Sequence, residues 1–193
     1  MNLQDIFVIS GGSFTGNLVR LNSLDFRKWK FMPGMLFRSE GKWWPGPGHP
    51  KNHARRKTRH NGLDLRLYET PSGKIKTLPE ETKVPLLKAG KIKKIIPDFL
   101  GFSVFAEHEV REAGGRLFTI YGHMTPEAGI EGRQLDEGHV IGKLAVSEGS
   151  AVPAHLHISI ALVPENILAE ETVSWKILGE SKGVVFFNPE KII

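Results

Sequence analysis

The chain has no cysteine among its 193 residues. That excludes disulfide stapling and thiolate metal sites, so any metal must be held by imidazole and carboxylate. No apolar run approaches the roughly 20 residues that span a bilayer. The opening residues carry no basic segment and no small-residue cleavage site, only the short run Ile6-Phe7-Val8-Ile9. No signal peptide is visible there, which leaves a cytoplasmic protein or a mature, trimmed form as alternatives. There is no internal repeat, no low-complexity tract and no sustained 3.6-residue period before residue 163. The last absence argues for short strands and tight turns rather than a helical bundle.

Apolar residues make up 40% of the chain and charged residues 24%, with a net charge of +5. A real core is therefore possible, and a basic surface suits an anionic partner. The charge clusters at Lys51, Arg55, Arg56, Lys57 and Arg59, and again at Lys83, Lys88, Lys91, Lys93 and Lys94. Aromatic residues do not interleave with these lysines, so they read as solvated surface, and no nucleic-acid partner is expected.

In order along the chain, residues 1–33 alternate apolar and turn residues and read as one or two strands, an arm ahead of a domain spanning 34–193. The stretch 34–60 is rich in Gly, Pro and basic residues and reads as a loop, with Trp43 and Trp44 as core anchors or groove lining. Strands are expected around Ile92 to Ile96, Phe102 to Ala106 and Leu117 to Tyr121, the last two joined by a polar hairpin over 107–115. Short strands flank the turns of 132–142, a long buried strand covers 155–162, and a last one 183–187. The one expected helix lies at 164–171, with Pro164 at its start.

Three fragments carry chemistry: His60-Asn61-Gly62-Leu63-Asp64, Tyr121-Gly122-His123 and His155-Leu156-His157. On a strand, residues two apart share a face, so His155 and His157 point together, and one can bind metal while the other handles protons. His60 and Asp64 are also an even number apart, and Gly62 permits a close approach of the backbone. Two imidazoles and one carboxylate with an open fourth position form a recurrent catalytic zinc arrangement. The remaining histidines read as inert: His49 and His53 in the basic loop, His108 in a hairpin turn, His139 in a glycine-bounded hairpin.

As a set, these fragments resemble peptidase family M23, the zinc metallopeptidases of the lysostaphin and LytM type. The pattern is His-x-x-x-Asp, a His after an aromatic-rich strand, then His-x-His. The segments 82–92 and 132–142 and Phe187-Asn188-Pro189 resemble that family's supporting stretches. The resemblance implies a mainly β fold, a compact antiparallel domain of barrel-sandwich hybrid type with an open groove and few short helices. It implies zinc bound by His60, Asp64 and His157, with His123 and His155 as the catalytic pair in either order of roles. It also implies peptide-bond hydrolysis, in peptidoglycan cross-links or stem peptides, at the cell envelope or outside the cell. The chain departs from the family at Ile158-Ser159, where Phe-Glu is common, and in residues 167–182, which read as an insertion. Three alternatives stand beside hydrolysis: a non-catalytic zinc-holding cell-wall recognition module; a lipoyl- or biotinyl-type carrier domain, whose hairpins 132–142 resemble but which leaves the five site residues unexplained; and a latent form in which Asn17 or Asp25 of the arm fills the open metal position.

Overall fold

The strand of residues Leu156–Pro164 alternates strictly: Leu156, Ile158 and Ile160 join one apolar cluster, while Ala161 and Val163 join another. Its neighbour Gly115–Pro126 does the same, with Leu117 and Tyr121 on the first side and Phe118 and Ile120 on the second. A period of two with both faces apolar is the signature of a sheet covered on both sides. The computed structural model bears this out; it describes residues 13–40, 59–112, 115–147, 152–168 and 174–193.

In chain order the elements are α1 (Phe14–Leu21), β1 (Lys28–Lys30), β2 (Leu63–Leu65), β3 (Leu67–Glu69), β4 (Ile75–Thr77), β5 (Lys83–Pro85), β6 (Gly90–Asp98), β7 (Gly101–Glu112), β8 (Gly115–Pro126), β9 (Gln134–Leu135), β10 (Val140–Leu144), β11 (Leu156–Pro164), α2 (Glu165–Leu168), α3 (Trp175–Glu180) and β12 (Val185–Phe187). The main sheet runs β12-β11-β8-β7-β6-β9, with β10 bridging β5 and β8 and β2 pairing the start of β11. A small sheet, β1-β3-β4, stands apart. Every strand pair described is antiparallel, and these sheets do not close into a barrel. The fold class expected from the sequence, mainly β with few short helices, holds. Among the described residues no helix is long and apolar enough to cross a membrane.

Two expectations are corrected. Residues 14–21 are a helix, not a strand. Ser13 caps it, its hydroxyl accepting the Gly16 N–H at 3.0 Å, and Phe14 and Leu18, one turn apart, reach the core, Phe14 beside Tyr121. Gly16 and Asn17, both poor helix formers, are interior residues of that helix; tertiary burial overrides their poor propensity. His108 is not in a turn either. β7 and β8 extend well past the apolar segments that flagged them, and His108 lies buried within β7. Its Nδ1 donates to the Ala89 carbonyl at 3.1 Å and its Nε2 accepts from Thr119 at 2.8 Å. Trp43, Trp44, His49, His53 and the basic residues 51–57 lie outside the described residues.

Candidate metal centre

The sequence-predicted groups meet where β2, β11 and β8 run side by side. Asp64 in β2 is directly opposite His157 in β11, and His157 is opposite Gly122 in β8. Directly opposed residues in an antiparallel pair project to the same side, about 5 Å apart at Cβ, so the Asp64 carboxylate lies against the His157 ring. Asp64 Oδ1 is 2.8 Å from His157 Nδ1 and 3.0 Å from His60 Nε2, and the two imidazole nitrogens are 3.1 Å apart. Gly62 makes this possible. A Cβ there would fall 2.4 Å from the Ile158 carbonyl oxygen and 2.6 Å from His157 Nε2.

Hydrogen bonds on the far side of each ring settle which nitrogen faces inward. His60 Nδ1 lies 3.0 Å from the Leu36 carbonyl, which can only accept, so that nitrogen carries the proton and Nε2 presents a lone pair. Ser159 donates its hydroxyl to the Asn61 carbonyl at 3.0 Å and so accepts from His157 Nε2 at 2.9 Å, leaving Nδ1 as the lone-pair atom. Three electron-pair donors thus converge within about 3 Å of one another with no proton left to share between them in the neutral rings. Burial pushes the His157 pKa down to about 4, only partly opposed by the Asp64 carboxylate, so the ring is neutral at pH 7. Burial works to raise the Asp64 pKa, but the surrounding imidazoles of His60, His155 and His157 outweigh it and hold the carboxyl well below the usual range. A cation between the three is what this donor set satisfies, and His60, Asp64 and His157 together could hold a metal ion.

The other two histidines flank this trio. His155, on the same face of the strand's approach as His157, is fully buried; its Nδ1 donates to the Pro153 carbonyl at 2.8 Å, and its Nε2 lies 3.9 Å from Asp64 Oδ1. Burial depresses its pKa to about 4. The His123 ring lies 4.6 Å from that of His155 and 6.0 Å from that of His157. Simple alternation would send His123 to the core with Tyr121, whose hydroxyl accepts the Leu87 N–H. A bulge prevents this. Gly122 and His123 together oppose Ser103, and His123 adopts φ of 65°, which re-aims its side chain to the face that carries His157.

Sequence reasoning missed Asp98, at the end of β6. Its side chain is 2% exposed and accepts four hydrogen bonds: from His123 N–H (2.9 Å) and Ser103 Oγ (2.7 Å) on Oδ2, and from Leu100 N–H (2.9 Å) and His123 Nδ1 (3.2 Å) on Oδ1. Burial works to raise its pKa, but these donors and the His123 charge prevail and lower it strongly. As Pro-Asp at a strand end it reads as a turn residue, and 25 residues separate it from His123. Trp175 of α3 was missed too. Its indole N–H donates to Ser103 Oγ at 2.7 Å, and its ring meets His157 edge-on at 5.2 Å.

The site opens into a groove of about 610 Å³, walled by Ile96 to Phe99 on one side and by Ser174 to Lys176, Gly179 and Glu180 on the other. His60, Asp64, His123 and His157 line it; His155 sits behind them. Asn17 and Asp25 do not reach it. Asn17 packs against Gly138 and accepts from Arg20, while Asp25 is exposed near Tyr68.

No family model matches the chain, and no curated protein sequence does. Among solved structures, LytU is similar at 17% identity and a TM-score of 0.46, over 85% of this chain and 88% of that one. The catalytic domain of lysostaphin from Staphylococcus simulans is similar at 16% identity and a TM-score of 0.42, over 68% of this chain and 76% of that one. A Pseudomonas aeruginosa protein assigned to peptidase M23 aligns at 22% identity and a TM-score of 0.39, over 78% of this chain but only 56% of that one. The chain thus spans little more than half the length of the Pseudomonas protein. At these identities the likeness concerns the fold, not the activity.

Proposed function

We propose that this protein is a zinc-dependent endopeptidase, a divergent relative of the M23 peptidases, acting on peptide bonds of peptidoglycan cross-links or stem peptides. One observation carries the reading: His60 Nε2, His157 Nδ1 and Asp64 Oδ1 converge as lone-pair donors at the wall of an open groove, with two further imidazoles beside them. A structural zinc is closed by four protein ligands, whereas a catalytic one keeps a position open. Zinc in such a site acidifies a water from about 15.7 toward 7 and polarises a carbonyl.

The chain's own groups divide the remaining work. His155, neutral at pH 7, offers Nε2 beside Asp64 as the proton acceptor. His123, with Nδ1 committed to Asp98, turns Nε2 to the groove; once protonated, it pairs with that carboxylate and serves the developing oxyanion or the leaving amine. Acid or base help of this kind contributes about a hundredfold to ten-thousandfold. Arg59 and Lys176 at the groove suit an anionic wall polymer.

The test is to incubate zinc-loaded protein with purified peptidoglycan and with its soluble peptides, and to read new amino termini by mass spectrometry. The expected result is new termini that vanish with a chelator and return with zinc. If the zinc-loaded protein creates none from either substrate, the recognition-module alternative replaces this reading.

A further inference from the structure

We infer that Asp98 is the positioning residue for His123, holding its backbone and its ring across the β8 bulge so that one defined ring nitrogen faces the groove. The inference rests on the peptidase reading for its kinetic consequence and on geometry alone for its structural content.

The bulge that turns His123 toward the groove has a cost. It removes the His123 N–H from the ladder and sets a non-glycine residue at φ of 65°, a strained conformation that persists only where neighbours over-determine it. Asp98 is that neighbour. Its Oδ2 takes the displaced N–H while its Oδ1 takes the ring's Nδ1–H, so one carboxylate fixes both the main-chain turn and the tautomer. The same logic orients the imidazole of a hydrolytic triad, where a buried carboxylate holds the ring without itself gaining the proton.

Four donors converge on this group, and only a carboxylate accepts them all. An Asn side chain must point its amide N–H₂ either at the Leu100 N–H and His123 Nδ1–H or at the His123 N–H and Ser103 hydroxyl. The backbone N–H groups cannot reverse, so the amide is mismatched in either orientation. The chain of contacts continues outward. The Ser103 hydroxyl donates to Asp98 and accepts the Trp175 indole N–H, which ties α3, in the stretch that reads as an insertion, to the orientation of His123.

The experiment compares zinc-loaded wild type with Asp98→Asn, Asp98→Glu and Ser103→Ala. Metal content and thermal midpoint are read first, then kcat and KM on a peptide substrate, then the His123 tautomer from long-range ¹H–¹⁵N spectra. In wild type His123 is expected as the Nδ1–H tautomer. Asp98→Asn should keep one zinc, lose that single tautomer, and lower kcat about a hundredfold with KM within about twofold. Asp98→Glu should restore part of kcat, and Ser103→Ala should lower it severalfold.

The inference is overturned if wild-type His123 lacks the Nδ1–H tautomer, or if Asp98→Asn leaves tautomer and kcat unchanged. Should Asp98→Asn fail to fold, a Ser103→Ala protein with unchanged kcat and His123 spectrum overturns it as well. If wild type cleaves no peptide, the peptidase reading fails, and the tautomer comparison still decides the role of Asp98.

Discussion

Each of the four site histidines spends one ring nitrogen on a protein acceptor: Leu36 O for His60, Asp98 for His123, Pro153 O for His155 and Ser159 for His157. The partner on the outer nitrogen decides what the inner one can do. Ser159 is the instructive case, because the partner it offers His157 is a neutral hydroxyl. A hydroxyl anchored on the Asn61 carbonyl performs the same service for His157 as a carboxylate, without adding charge. Ser159→Ala should therefore weaken zinc binding about tenfold to a hundredfold, the usual cost of losing a ligand's outer partner, measured by competition with a chromophoric chelator. An unchanged affinity would show that Ser159 does not orient His157. Asp64→Asn removes the carboxylate of the cluster and should abolish stoichiometric binding in the same assay. The residues of the three-residue cluster were legible in the sequence because side-chain parity and glycine geometry are local rules. Asp98 and Trp175 were not, since their meaning comes from partners 25 and 72 residues away in sequence.

At the scale of elements, the site depends on how closely β2 lies along β11. The absence of a side chain at Gly62 sets that distance, with backbone and ring atoms inside 3 Å of the position a Cβ would take. Gly62→Ala should cost about 1–3 kcal/mol through forced separation of the strands and reduce zinc occupancy in the same step, read from denaturant unfolding and metal content. A stable, fully loaded Gly62→Ala protein would refute the close-approach argument. The helix α1 is a second such element. Phe14 packs in the core near Tyr121, so Phe14→Ala should destabilise the protein by about 3–5 kcal/mol; a loss under about 1 kcal/mol would mean that the helix only rests on the surface. The strands β6, β7, β8, β10, β11 and β12 were legible from short β-branched and apolar runs set between turns, whereas α1 was not. Its eight residues place only two large apolar side chains on the buried face, too few for a helical period to stand out, and its capping serine follows two glycines that look like a turn.

For the molecule as a whole, burying neutral imidazoles couples stability to pH. His108 lies outside the site and its pKa is depressed by burial from 6.5 to about 4. Because the unfolded chain binds this proton more readily, the stabilisation is fully present above about pH 6.5 and is lost as pH falls toward 4. Its size is about 3 kcal/mol at most. Metal-free protein should lose stability over that window, and His108→Gln should flatten the slope in urea titrations at pH 7, 5.5 and 4.5; an unaltered slope would show that His108 is not the titrating group. The central claim concerns the zinc and the groups around it, and the most direct measurement is zinc content by elemental analysis alongside loss of turbidity of purified cell walls, for wild type and His155→Ala. The account predicts one zinc per chain in both proteins, with lysis by wild type and none by the variant. No zinc in the wild type would contradict it, and so would lysis by His155→Ala at the wild-type rate.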